Sequence, residues 1–519
     1  MRLLQTRAEL TDWCRDQVGR PLHFVPTMGS LHGGHQQLLR RAAEAVPAGR
    51  PAVLLSVFVN PLQFGPSEDF VRYPRDLAAD GALAEAAGAD ALFAPSVAEL
   101  FPGGEAQLTG VVPPAALRQS LCAPGRPGHF EGVATVVCRL LALVRPDRLL
   151  LGEKDWQQLT ILRRVVADLA LPVTVQGCAT VRDADGLACS SRHRYLSSAE
   201  RRQAAALPAA LEAAQRLGRS GTGSAELLTA SVQGALAAAG LAVEYVQLVQ
   251  PLTLSPVCEA GGLSLLAAAA RCGSTRLIDH VFLMKRPPIV AIDGPAGAGK
   301  STVTRAFARR LGLLYLDTGA MYRALTWWVL QRGVDPADPA AIAPLLDDLD
   351  LQLESDAAGE QRVRVNGHEV SEAIRGPEVT ALVSTVAAHA CVRAALTRQQ
   401  QAMGQRGGLV AEGRDIGTAV FPEAECKVFL TATVSERARR RAADLAQRGF
   451  AVPILAELEA QIAERDQRDS SRAEAPLRQA DDAVELVTDG LSIDDVIRRL
   501  VDLFRERVPE DAWPGPGAP

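Results

Sequence analysis

The sequence predicts two α/β units in tandem, each built on a parallel sheet. Continuous apolar runs alternate with Ala/Leu-rich helical stretches, the pattern of strands covered on both faces. The alternation stops near residue 283 and restarts at PIVAIDG (288–294), just after Pro287 and Pro288, which break a strand. At 519 residues the chain also exceeds what one core can organise.

In chain order, the runs LHFVPT (22–27), AVLLSVFVN (52–60), ALFAP (91–95) and RLLLGE (148–153) are the strands of the first sheet, within a domain at 1–177. A small α+β cap follows at 178–283. It holds one long helix (AERRQAAALPAALEAAQRLG, 199–218), a Gly/Ser loop (218–224), a second helix, and two strands at VEYVQLV (243–249) and LSLLAAAA (263–270). Residues 284–288 form a linker, and the second unit spans 289–507. Within it VRVNGHEV (363–370) centres an Asn-Gly pair between alternating residues, a hairpin signal. Residues 508–519, VPEDAWPGPGAP, are expected to be a disordered tail. No internal repeat is present, because the two halves carry different nucleotide motifs.

Composition narrows the function. A net charge of −5 and 4% aromatics argue against a nucleic-acid or membrane surface. The N-terminus has no signal-peptide pattern, and no apolar run reaches the roughly 18 residues of a membrane span. Nine scattered cysteines, without CxxC or zinc spacing, suit reduced thiols in a cytoplasmic protein. Only four of the 55 basic residues are lysine: Lys154, Lys285, Lys300 and Lys427. Where arginine serves nearly everywhere, a retained lysine can mark a need for a compact ammonium.

Lys300 falls in GPAGAGKS (294–301), which fits GxxxxGK[ST] between a strand and a helix. Residues Gly294, Pro295, Ala296, Gly297, Ala298, Gly299, Lys300, Ser301 and Thr302 would wrap ATP. The glycines let backbone N–H groups turn towards phosphates. Lys300 would reach the β- and γ-phosphates and Ser301 would hold Mg²⁺. Together with LDTGAMYRALT (316–326), the hairpin, AEGRDIGTAVFPEA (411–424) and ERDQRDSSRAEAPL (464–477), this loop resembles the bacterial cytidylate kinase family over 288–507. The resemblance implies a CMP/dCMP pocket at Thr318, Arg323, Ser384, Arg393, Arg414, Asp415, Asp469 and Arg472. It also implies a lid at 435–450, with Arg440, Arg448 and, beyond it, Arg465 neutralising the transferred phosphoryl group. A different monophosphate, UMP or AMP, is the competing specificity.

In VPTMGSLHGGHQQLLRRA (25–42), His32 and His35 stand three apart at the mouth of a helix. That spacing puts both rings on one face, where a helix N-terminus attracts anions. GEKDWQQL (152–159) adds Lys154 at a strand-to-helix turn, and CSSRHRYL (189–196) adds hydroxyls and a guanidinium. Imidazoles, an ammonium, hydroxyls and a guanidinium are what a triphosphate needs. PTMGSLHGGH, FVNPLQFG, YPRD, HFEGV, VRPDRLLLGEKDWQQL, DGLACSSRHRYLS and GSTRLID occur in the order of the pantothenate synthetase family, which residues 1–283 resemble. The whole chain resembles a fusion of the two families.

This second resemblance implies a Rossmann-like nucleotidyltransferase domain and a two-step ligation. Pantoate would attack the α-phosphate of Mg-ATP to give pantoyl adenylate and pyrophosphate, and β-alanine would then displace AMP. It implies an ATP site at Met28, Gly29, Ser30, Leu31, His32, Gly33, Gly34 and His35, at Gly152, Glu153, Lys154 and Asp155, and at Val181, Cys189, Ser190, Ser191 and Arg192. Gln63 and Gln158 would bind pantoate, with Gln63 also near β-alanine. His35 is the family's proton donor and His32 a phosphate contact. A carboxylate nucleophile needs no base, however, and imidazolium stabilisation of the pentacoordinate phosphorus accounts for the pair equally well. The catalytic set is thus His32, His35, Lys154 and Lys300. The cofactor is Mg²⁺ with ATP and no organic group. The partners are small molecules, with no nucleic acid or membrane, and a homodimer through the first half. Gly33 and Cys189 depart from the family pattern, where a charged residue and a methionine are common. An inactive, merely nucleotide-binding half is the competing reading.

Overall fold

The computed structural model describes every residue except 47–48, 67, 356–360, 448, 473 and 517–519. It divides into two compact units, Met1–Lys285 with Pro509–Pro514, and Arg286–Val508 with Gly515–Pro519.

The first unit contains β1 (Arg2–Leu4), β2 (Leu22–Thr27), β3 (Ala52–Val57), β4 (Ala91–Phe93), β5 (Arg148–Gly152) and β6 (Thr174–Cys178). These form one sheet in the order β1-β4-β3-β2-β5-β6, with every neighbour parallel. Alternate strand residues feed two different cores. Phe24, Leu54 and Leu149 pack with the helices His129–Val144 and Trp156–Asp168. Val25, Leu55 and Leu150 pack with the helix Gly33–Ala42. The apolar runs were continuous because both faces are buried. The strand order reverses at β2, so the loops after β2 and β5 flank the crevice where such sheets bind ligands.

The cap differs from its sequence reading in two respects. The long helix is two, Ser198–Ala204 and Ala206–Arg219. Pro208 sits in the first turn of the second, where its missing N–H costs nothing. The cap sheet has three antiparallel strands rather than two: β7 (Ala242–Val249), β8 (Leu263–Cys272) and β9 (Thr275–Met284). The segment GSTRLID supplies the missing turn and strand.

The second unit carries β10 (Ile289–Asp293), β11 (Leu314–Asp317), β12 (Leu351–Ser355), β13 (Gln361–Val365), β14 (His368–Glu369), β15 (Leu409–Gly413), β16 (Cys426–Thr431) and β17 (Val484–Val487). A parallel sheet runs β11-β15-β10-β16-β17, and β12, β13 and β14 form a separate antiparallel sheet. Between β13 and β14, Asn366 and Gly367 both have positive φ, 48° and 81°, as an Asn-Gly hairpin requires.

Of the expected disordered tail, residues 517–519 lie outside the described residues, and the part before them is ordered. Pro509–Pro514 belongs to the first unit, where Ala512 packs against the core and the N–H groups of Ala512 and Trp513 close a helical turn on the Pro509 carbonyl. The Pro/Gly composition suggested disorder, but Glu510, Asp511 and Ala512 supply specific contacts. Among the described residues no single helix is long and apolar enough to cross a membrane.

Candidate active sites

A cavity of about 250 Å³ opens beyond the C-terminal ends of β2 and β5. His32 caps the helix Gly33–Ala42, its Nδ1 accepting the Gly34 N–H at 3.2 Å. A Cβ on Gly34 would stand 3.0 Å from the His32 ring, so any larger residue would press on that ring. His35 lies one turn on, with the two ring centroids 4.0 Å apart. Burial, then the Lys154 ammonium, pulls His32 down to about 4. Burial, then His32, pulls His35 down to about 3. Burial and the neighbouring cation thus hold both rings towards the neutral form, and it is through a ring N–H that either could donate to a phosphate oxygen. His35 Nδ1 is buried and has no partner among the described residues.

Met28, His32, Gly34, His35, Gly152, Lys154, Asp155, Val181, Cys189, Ser190, Ser191 and Arg192 line this cavity, as do Gln63 and Gln158. Gly29, Ser30, Leu31 and Glu153 are buried behind the wall, and Gly33 is exposed outside the lining. The N–H groups of Ser30 and Leu31 are spent on the Asp80 carboxylate, at 2.9 and 2.7 Å, and so are closed to a phosphate. Asp80 is 2% exposed and pins a loop in which Gly29 and Ser30 both have positive φ. Glu153 is turned towards the C-terminal segment.

Other walls are held by pairs that sequence reading did not assign. Arg192 grips Asp69 through two nitrogens at 3.1 and 3.0 Å, and Tyr73 Oη lies 3.1 Å from Ser191 Oγ. The Gln63 amide oxygen accepts from Asn60 Nδ2 at 3.1 Å, and its backbone carbonyl meets His129 Nδ1 at 2.8 Å. Gly132 is needed here, since a Cβ would lie 2.2 Å from the Leu62 carbonyl oxygen. Arg126 lines the cavity in a two-nitrogen pair with Glu68. Cys189 Sγ donates to Asp183 at 3.2 Å, and burial pushes its thiol up to about 11.

In the second unit the phosphate loop joins β10 to the helix Lys300–Leu311. Gly294, Gly297 and Gly299 have φ of 149°, 77° and 86°. A Cβ on Gly294 would fall 2.0 Å from the Leu430 carbonyl oxygen. Lys300 Nζ donates to the Gly294 and Pro295 carbonyls at 2.7 and 2.9 Å, and burial, then Arg414, pulls it down to about 7. Ser301 Oγ donates to Glu412, whose other carboxylate oxygen is buried without a partner among the described residues.

Thr318 Oγ1 donates to the Glu412 carbonyl at 2.7 Å, and Arg323 pairs with Asp317 at 3.0 Å. Arg393 pairs with Asp415, while Arg414, at 3.0 Å, and Arg472 share Asp469. Ser384 lies on the helix Pro377–Val386. Arg440 Nη1 reaches the Ala298 carbonyl of the loop at 3.3 Å. Arg465 is held below its ordinary value by burial and the Arg414 guanidinium. Arg448 lies outside the described residues. Sequence reading missed Arg437, 3% exposed, which donates to the Ala296 carbonyl at 3.1 Å and pairs with Asp466. Lys427 is structural: it is buried and bonded to Pro422 and Asp482.

A family model for pantoate-beta-alanine ligase matches residues 2–282, and one for cytidylate kinase matches 290–506. A relative from Parasynechococcus marenigrum (strain WH8102), described as a bifunctional pantoate ligase/cytidylate kinase, is 65% identical over 514 residues, covering 99% of this chain and 100% of its own. The chain belongs to the bifunctional pantoate ligase/cytidylate kinase family. A second member, from Prochlorococcus marinus (strain MIT 9313), is 63% identical over 96% of this chain and 98% of its own. A crystal structure of pantothenate synthetase from Thermus thermophilus covers 54% of this chain and 99% of its own, at 45% identity and a TM-score of 0.51. The ligase half is thus the first unit and the kinase half the second. Asn60, Tyr73 and His129 lie in the ligase motifs FVNPLQFG, YPRD and HFEGV, so a signal for them was present. Asp80, inside a helix of ordinary composition, gave none.

Proposed function

We infer that the ligase half joins pantoate to β-alanine through pantoyl adenylate, and that the kinase half moves the γ-phosphoryl group of ATP to CMP or dCMP. The observation that carries the first is the convergence of His32, His35, Lys154, Ser190 and Gln63 on one cavity at the switch point of a parallel sheet. A pantoate carboxylate oxygen would attack the α-phosphorus of ATP and expel pyrophosphate. Lys154 and the imidazole pair would stabilise the charge on the pentacoordinate phosphorus. The β-alanine amine, once deprotonated, would then attack the acyl carbon and expel AMP. Gln63, locked by Asn60 and His129, would orient pantoate.

In the kinase half, Lys300 leaves its two loop carbonyls to meet the transferring phosphoryl group, and Arg440 and Arg465 balance its equatorial charge. Arg393, Arg414 and Arg472 would clamp the CMP phosphate. Mg²⁺ fits beside Ser301 and Glu412: a hydroxyl with a buried, unpartnered carboxylate oxygen is a hard-oxygen set, and the ion when bound screens the ATP phosphates. All nine cysteines are free, which suits a cytoplasmic setting.

Product analysis tests both readings on one preparation with Mg-ATP. Pantoate plus β-alanine should yield AMP and pyrophosphate, and CMP should yield ADP and CDP. Lys154→Ala should abolish only the first and Lys300→Ala only the second. Failure of the pantoate reaction in the unaltered protein refutes the ligase reading. A panel of CMP, dCMP, UMP and AMP fixes the kinase acceptor.

A further inference from the structure

The last segment of the chain makes contacts that the ligase reaction as described above does not use. Glu510 and Asp511 donate their backbone N–H groups to the two carboxylate oxygens of Glu153, at 2.9 and 2.8 Å. Glu153 is 1% exposed and stands between Gly152 and Lys154, both of which line the cavity. A carboxylate this deeply buried needs partners, and these two N–H groups supply them.

The side chains reach further. The Glu510 carboxylate pairs with Arg41 at 2.5 Å and accepts the Ala179 N–H at 3.2 Å. The Asp511 carboxylate accepts the Thr180 N–H at 2.8 Å and its hydroxyl at 2.5 Å, and lies 3.7 Å from His280 Nε2. Ala179 and Thr180 line the cavity, and Arg41 ends the helix that begins at His32 and His35. One acidic dipeptide therefore braces three separate pieces of the nucleotide wall: the histidine helix, the Lys154 turn and the segment after β6. Neither Glu510 nor Asp511 lines the cavity.

We propose that Glu510 and Asp511 are positioning residues of the ligase half, holding the Lys154 turn and the 179–180 segment at the spacing that ATP needs. This rests on the ligase reading. Loss of the brace would let the wall relax by a fraction of an ångström, and misplacement near 1 Å can cost about 10²-fold.

The test compares three full-length preparations, the unaltered chain, E510Q/D511N and E510A/D511A, with a chain ending at Val508. ATP-dependent pantothenate formation is followed, with CMP phosphorylation in the two double variants as an internal control. The expected result is a KM for ATP raised about tenfold in E510A/D511A and in the shortened chain, and a smaller rise in E510Q/D511N. KM for pantoate should move less, and CMP phosphorylation should keep its rate. A synthetic peptide PEDAWPG, added to the shortened chain, should lower KM for ATP again. Unchanged ligase kinetics in E510A/D511A and in the shortened chain would overturn the proposal. So would a fall in kcat at constant KM for ATP that the peptide does not reverse, because that is loss of folded enzyme. Failure of the ligase reading looks different: the unaltered chain itself would then form no pantothenate.

Discussion

Asp80→Ala should unfasten the histidine loop. Asp80 is 2% exposed and accepts the N–H groups of Ser30 and Leu31 at 2.9 and 2.7 Å. Each is a charge-assisted bond in a solvent-free site, and each stranded N–H costs about 1–3 kcal/mol. The loop has no easy alternative, since Gly29 and Ser30 hold positive φ and must be kept there by outside contacts. Together these give a loss of about 2–6 kcal/mol for the alanine variant. Asp80→Asn keeps one acceptor oxygen and should lose about half as much. With a urea slope of about 3 kcal/mol per molar, the ligase midpoint should fall by about 0.7–2 M in Asp80→Ala. The assay is residual activity across a urea series, with the ligase and kinase reactions read separately because the chain has two units. The kinase midpoint should stay in place. A ligase midpoint within about 0.2 M of the unaltered protein would refute the reasoning.

Other consequences are as accessible. Gly33 has no positive φ, and a Cβ there would meet only ordinary contacts at 3.9 Å, so Gly33→Ala should raise stability by about 0.4–1 kcal/mol in the same urea series. His32 and His35 are depressed to about 4 and about 3 by burial, so between pH 6.5 and 4 the unfolded chain binds more protons than the folded one, and stability falls as pH falls. His32→Gln/His35→Gln should therefore lose less stability between pH 7 and 5 than the unaltered protein. Cys189, with its thiol near 11, should resist maleimide at pH 7.5 while exposed Cys258 is labelled, as peptide mass spectrometry would record.

Both parallel sheets were legible because strands buried on two faces are apolar throughout, and the phosphate loop because its glycines serve backbone geometry that nothing else can adopt. The cap was less so. LSLLAAAA showed a strand, but TRLIDHVFLM mixes Arg276, Asp279 and His280 into β9 because its surroundings include Arg182 and Asp511. Such partners are distant in sequence and invisible to local pattern. Asp80 and Asp69 escaped for the same reason, since each acts on a loop far along the chain, and Glu153, expected at the ATP site, proved to bond the distant Glu510 and Asp511. The tail was misjudged because proline and glycine dominate its composition, while the two residues that anchor it are an ordinary acidic pair.

The resting state of Lys300 also makes nucleotide binding a proton-linked event. Its ammonium, held by two carbonyls of its own loop and pulled down to about 7, is only partly charged in neutral solution. A triphosphate arriving beside it restores the cation, so ATP should enter the kinase half with uptake of about half a proton at pH 7. The heat of binding would then scale with the ionisation enthalpy of the buffer, and ATP affinity would weaken as pH rises above neutrality.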